Sequence, residues 1–109
     1  MTNFGSTICE DSDGNMWAGL RQGGLVKFDR SATHVWTKEY EVTAVLPMNK
    51  GGIWLGMSLG LNYLKDGKLF KPTIDEQYKE YGGFTAILSL FENNWSELYF
   101  GTLGLIMVI

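Results

Sequence analysis

Ile8-Cys9-Glu10-Asp11-Ser12-Asp13-Gly14-Asn15-Met16-Trp17-Ala18-Gly19-Leu20 is answered thirty-seven residues later by Val45-Leu46-Pro47-Met48-Asn49-Lys50-Gly51-Gly52-Ile53-Trp54-Leu55-Gly56-Met57. In both copies an apolar residue stands nine positions before Trp, and Gly follows Trp by two. Downstream, Gly24-Leu25-Val26-Lys27-Phe28-Asp29 finds its counterpart in Gly60-Leu61-Asn62-Tyr63-Leu64-Lys65-Asp66. A looser third copy sets Thr85-Ala86-Ile87-Leu88 against Thr43-Ala44-Val45-Leu46. It also sets Leu98-Tyr99-Phe100-Gly101 against Ile53-Trp54-Leu55-Gly56, and Gly104-Leu105 against Gly60-Leu61. Gly101 follows Gly56 by forty-five residues, and longer segments around Gln77 to Gly83 and over Glu92 to Glu97 account for the excess. A period of about forty residues holding several short strands is the sequence form of a propeller blade.

The turn signals divide each copy. Asp13-Gly14-Asn15, Gly23-Gly24, Asn49-Lys50-Gly51-Gly52 and Asp66-Gly67 separate short apolar runs, and Asp-Gly and Gly-Gly permit the positive φ of tight hairpins. Strands are predicted over 6–10, 15–20, 25–29 and 34–39 in the first copy, and over 43–48, 53–57, 61–65 and 68–72 in the second. The third holds only 84–91, 97–102 and 105–109. The expected fold class is therefore all-β, built of β-propeller blades of four antiparallel strands, about two and three-quarter blades in all. Blade one runs over about 5–40, blade two over about 42–74, and an incomplete blade three over about 83–109. Asp75 to Tyr81 is polar and reads as a long loop with at most one helical turn. Trp17 and Trp54 are expected between blades, where a large aromatic buries the most area.

The 109 residues suffice for one core, with 45% hydrophobic and 19% charged. Gly at 14 and aromatics at 14%, against two Pro, suit short strands and tight turns. The net charge of −3 comes without any Lys/Arg cluster, which argues against a nucleic-acid partner. Cys9 is the single cysteine, so neither an internal disulfide nor a cysteine zinc cluster forms within the chain; in an apolar strand it is expected to be a buried, inert thiol. Met1 is followed by polar residues rather than a signal peptide, and the apolar stretch Leu103 to Ile109 is too short for a membrane segment.

Glu10-Asp11-Ser12-Asp13-Gly14-Asn15-Met16-Trp17-Ala18-Gly19, followed by Gly23-Gly24-Leu25-Val26-Lys27-Phe28-Asp29, resembles the two-component regulator propeller repeat. That repeat runs apolar-x-Glu-Asp-x-Asp-Gly-Asn-apolar-Trp-apolar-Gly-Thr, then Gly-Gly-Leu and an aromatic-Asp pair. Leu20 replaces the usual Thr, the second copy lacks the acidic turn, and the third keeps only Phe100-Gly101-Thr102 and Gly104-Leu105. The resemblance implies a ligand-binding sensor propeller segment of a bacterial signal-transduction receptor. It implies a periplasmic or extracellular location and a histidine kinase or cyclase output on a longer chain. It also implies a small-molecule ligand such as a carbohydrate. The alternative is a set of structural blades that mediate protein association.

No residue pattern points to an enzyme, and no cofactor is expected. Asp11-Ser12-Asp13-Gly14-Asn15 resembles half a calcium loop, but its twelfth position is Gln22, which cannot supply a bidentate carboxylate. A turn whose carboxylates cap backbone N–H groups is the better reading, and no metal is expected. His34, the one histidine, falls in an outer strand and reads as a solvated residue. Blade geometry puts the loops between second and third strands, and those entering the next inner strand, on one face. Arg21, Gln22, Glu41, Ser58 and Tyr81 are the candidate ligand-binding residues there, Arg21 and Gln22 suiting a carboxylate or sugar hydroxyls. A partial ring and the apolar edge Leu105 to Ile109 predict an oligomer or a place within a longer chain.

Overall fold

The computed structural model describes residues 5–20, 24–29, 33–36, 41–57, 60–72, 87–102 and 106–109. Three antiparallel sheets follow one another along the chain. The first holds β1 (Gly5–Glu10), β2 (Met16–Leu20), β3 (Gly24–Phe28) and β4 (Thr33–Trp36), in that spatial order. The second holds β5 (Val42–Pro47), β6 (Ile53–Met57), β7 (Gly60–Lys65) and β8 (Lys68–Phe70), again in order. The third holds β9 (Ser89–Glu92), β10 (Leu98–Gly101) and β11 (Ile106–Val108). These are stacked β-propeller blades, two of four strands and one of three among the described residues. Among the described residues β11 pairs only with β10 and forms the edge of its sheet. The side chains of β4, His34 among them, lie outside the described residues, as does the polar segment Asp75 to Tyr81.

Register explains the repeat. Gly19 pairs with Thr7, and Gly56 with Ala44, each beside a bulge at the start of the inner strand. The glycine two after each Trp is a seat for the next sheet. A Cβ on Gly19 would lie 2.6 Å from a methyl of Val42 and 3.1 Å from its carbonyl oxygen. A Cβ on Gly56 would lie 2.9 Å from Cβ of Ile87 and 3.0 Å from its carbonyl oxygen. Only a residue without Cβ lets the neighbouring backbone come so close. Val42 and Ile87, the two plugs, are both fully buried.

Three features of the third copy differ from the sequence expectation. Ile87 takes the place of Val42, not of Val45, because Ser89 pairs with Gly101 as Ala44 pairs with Gly56. The Thr-Ala-x-Leu identity at 85–88 misleads, since the register is fixed by which β-branched residue fills the seat. Likewise Ile106, not Leu105, answers Leu61, because it pairs with Gly101 as Leu61 pairs with Gly56. The forty-five-residue offset thus holds from Ile87 onward, and the turn over Glu92 to Glu97 is not longer. Asn93 N–H donates to the Glu97 carbonyl as Asp11 N–H does to Asn15 and Met48 N–H to Gly52. The extra length falls wholly between β8 and Ile87.

The core is two seams. Trp17, Leu25, Val42, Val45, Ile53, Leu55, Met57 and Leu64 pack between sheets one and two. Trp54, Leu61, Ile87, Leu98 and Phe100 pack between sheets two and three. Trp17 and Trp54 are buried between blades as expected, 6% and 7% exposed. Alternation along each strand sends one set of side chains to the preceding sheet and the other to the next.

Candidate functional site

Five residues were expected to form a ligand face. Arg21, Gln22, Ser58 and Tyr81 lie outside the described residues. Glu41 is described: it is half-buried and immediately precedes Val42, the plug of the first seam. It therefore sits at the end of the sheets marked by Leu20 and Gly24 and by Met57 and Gly60.

The opposite end of the sheets carries the three equivalent turns, and there the first is held by its own carboxylate. One Asp11 oxygen accepts from the N–H groups of Asp13 and Asn15, each at 2.9 Å. The other accepts from the Trp17 indole at 2.8 Å. Burial alone would raise the Asp11 carboxyl, but the Trp17 bond and the backbone bonds from Asn15 and Asp13 outweigh it and hold the group below its ordinary value. Both oxygens are thus engaged by the protein, which is the capping role expected of this turn. Asn93 caps its own turn in the same manner, its side-chain oxygen accepting from Trp95 and Glu97 N–H at 2.9 and 3.0 Å.

A cleft of about 480 Å³ opens at this end between sheets one and two. Asp13, Lys27, Lys50, Lys65 and Asp66 bring charge to it, beside the engaged Asp11. Lys27 places its ammonium 5.4 Å from the Trp17 ring centre, so the indole face occupies part of its charge. Lys50, Lys65, Asp13 and Asp66 leave the cleft with donors and acceptors of both signs. Its size lies within the range of small-molecule sites. Such a lining suits a polar ligand with many hydroxyls better than an extended polyanion. Sequence reading missed this cleft, since its lysines come from β3, from the β5–β6 turn and from the end of β7. Only the stacking of sheets unites them.

Cys9 is half-buried against the first seam, and its thiol is pushed up to about 11 by burial and by the Asp11 carboxylate. That is an inert thiol, less buried than its strand suggested. Among the described residues no group of His, Cys, Asp and Glu is arranged to hold a metal ion, and no helix is long and apolar enough to cross a membrane.

The two component regulator propeller family matches residues 2–22, which span the first hairpin. None of the curated proteins matches the chain. The fold is similar to the extracellular domain of a hybrid two component system from B. thetaiotaomicron, with 22% identity and a TM-score of 0.79 over 98% of this chain. It is similar also to virginiamycin B lyase from Staphylococcus aureus, with 12% identity and a TM-score of 0.70 over 95% of this chain. A streptogramin B lyase shares 14% identity with a TM-score of 0.71 over 95% of this chain. The chain spans 14% of the two component domain and 40% and 39% of the two lyases.

Proposed function

We propose that the chain is a ligand-binding segment of a sensor propeller in a bacterial signal-transduction receptor, facing the periplasm or the exterior, and that its ligand is a small molecule such as a carbohydrate. The observation that carries this reading is the family match over residues 2–22, where Asp11, Gly14, Trp17 and Gly19 perform the structural tasks the repeat needs. The chain-long similarity to an extracellular two component domain supports it. Similarity to the lyases extends to the fold, and we read the chain as a binding module rather than an enzyme. On this reading the kinase or cyclase output lies on a longer polypeptide, and the blades are bounded at about 5–40, 42–74 and 83–109.

Two surfaces are candidates for the ligand. One is the loop end carrying Arg21, Gln22, Glu41, Ser58 and Tyr81. The other is the polar cleft with Lys50 and Lys65. Thermal-shift titration with a panel of neutral and uronic-acid oligosaccharides separates them. The expected result is a saturable rise in melting temperature that Arg21→Ala or Glu41→Ala abolishes and Lys50→Ala leaves intact. Loss on Lys50→Ala alone would move the site to the cleft. No shift across the panel, together with a defined oligomer in solution, would favour blades that serve protein association.

A further inference from the structure

The back of the third sheet carries a seat like those of the first two, with nothing seated on it among the described residues. Leu25 and Leu61, at one register position of sheets one and two, are 0% and 4% exposed, whereas Ile106 at that position of sheet three is 79% exposed. Trp17 and Trp54 are 6% and 7% exposed, and their counterpart Tyr99 is 36% exposed. Phe91 stands edge-on to Tyr99 with ring centres 6.3 Å apart and is 62% exposed. These side chains frame an apolar hollow of about 340 Å³ around Gly101, the third seat glycine.

We propose that this face docks a further blade whose innermost strand carries a β-branched aliphatic residue with an aliphatic residue three positions on, and that the first sheet of a second copy does not meet that requirement. The two existing seams define it. Val42 fills the Gly19 seat and Val45 follows three positions later; Ile87 fills the Gly56 seat and Leu90 follows three positions later. The third seat has the same register as the first, Ser89 opposite Gly101 as Thr7 is opposite Gly19. A Cβ on Gly101 would lie 2.6 Å from the Ser89 hydroxyl, as one on Gly19 would lie 2.6 Å from the Thr7 methyl. The Thr7 hydroxyl accepts from the Val45 N–H at 3.2 Å; the Ser89 hydroxyl lies instead against Gly101, where Thr7 carries its methyl, and has to rotate to do the same for an arriving strand. The chain's own first sheet has Ile8 at the following position, 66% exposed, but Gly5 at the plug position. A glycine brings no methyl groups to the seat, so head-to-tail stacking of identical chains leaves that part of the hollow empty.

The test is sedimentation velocity on the full chain and three variants, with circular dichroism to verify strand content. Wild type and Gly101→Ala are expected to sediment alike, because no second copy uses the seat. Gly5→Val supplies the missing side chain and is expected to associate roughly tenfold more tightly than wild type or better. The double variant Gly5→Val with Gly101→Ala is expected to lose that gain. Wild-type association that Gly101→Ala abolishes would overturn the proposal. So would a Gly5→Val chain that folds and associates no more tightly than wild type. Should Gly5→Val lose its strand signal, Gly5→Ile repeats the arm with the side chain found at Ile87, and the comparison of wild type with Gly101→Ala stands by itself.

Discussion

The two seams share a plan and differ in how their edges are tied. In each, a β-branched residue sits on a glycine and a tryptophan closes the outer side. In the first seam the Trp17 indole is held by Asp11 of its own sheet. In the second, Met48 replaces Asp11 and offers no acceptor there. The Trp54 indole turns instead to Glu92 of the next sheet, at 3.2 Å. The other Glu92 oxygen accepts from the Asn49 N–H at 2.5 Å, and the Asn49 side chain donates to the Asn93 carbonyl at 2.8 Å. The Thr43 hydroxyl donates its one proton to the Ile87 carbonyl and lies 3.1 Å from the Gly56 carbonyl. Both seams are packed, the first with the Val45 N–H donating to the Thr7 hydroxyl across it, and among the described residues the second adds a polar clasp at its turn end. A blade repeat can lose its acidic turn without losing the indole's partner, provided the following blade supplies one.

The largest test of this difference is truncation of each tryptophan. Trp17→Ala and Trp54→Ala each remove a buried indole, for which about 3–5 kcal/mol is the usual cost. The seams predict different patterns of hydrogen exchange. Trp54→Ala also frees Glu92 and loosens the clasp, so amides of β9 to β11 should lose protection while those of β1 to β3 keep it. Trp17→Ala should loosen the first seam and leave the clasp intact. Equal loss of protection across all three sheets in both variants would mean that the seams open as one unit.

The seams also mark what the sequence could disclose. Trp-x-Gly and Gly-Gly-Leu were legible because a glycine seat and its tryptophan are a strict steric pair. The turn over 11–15 was legible because an Asp at its first position has few other uses in a hairpin. Ile87 was misplaced because side-chain identity does not reveal a bulge, and the bulge decides which residue reaches the neighbouring glycine. Trp54's attachment to Glu92 was not legible either, since it joins residues thirty-eight positions apart through the stacking of sheets. The same is true of the cleft, where Lys27, Lys50 and Lys65 carry no shared motif. Of the ligand face, only Glu41 falls among the described residues.

A smaller effect separates the two anchors by pH. The Asp11 carboxyl lies below its ordinary value in the folded chain because the bonds from Trp17, Asn15 and Asp13 outweigh its burial. A depressed folded value means the anionic form is the one folding favours. That stabilisation is present above the unfolded value of about 3.9 and is lost as pH falls through the folded value. Asp11→Asn should cost on the order of 1 kcal/mol or less at neutral pH, because the group is largely solvated and an amide keeps one acceptor. Urea unfolding midpoints measured from pH 7 down to pH 2 should show a flatter acid limb in the variant. An unchanged acid limb would show that Asp11 does not tie the first seam.

The smallest effect reads the first seam without breaking it. Cys9 packs at the edge of that seam, and its thiol is raised to about 11, first by burial and then by the neighbouring Asp11 carboxylate. The thiolate is the reactive form, so at pH 8 a thiol raised from 9.0 to about 11 should react with a maleimide or disulfide reagent roughly a hundredfold more slowly than in the unfolded chain. Both causes belong to the first seam and neither to the second. Trp54→Ala, which opens the clasp between sheets two and three, should therefore leave the labelling rate close to wild type. Asp11→Asn removes the adjacent negative charge and the anchor of Trp17 together, and should quicken labelling by several-fold. If Trp54→Ala quickened Cys9 labelling as much as Asp11→Asn did, sheet two would be transmitting disorder from one seam to the other. The independence of the two seams would then fail at its most sensitive point, even with the packing of both tryptophans as described.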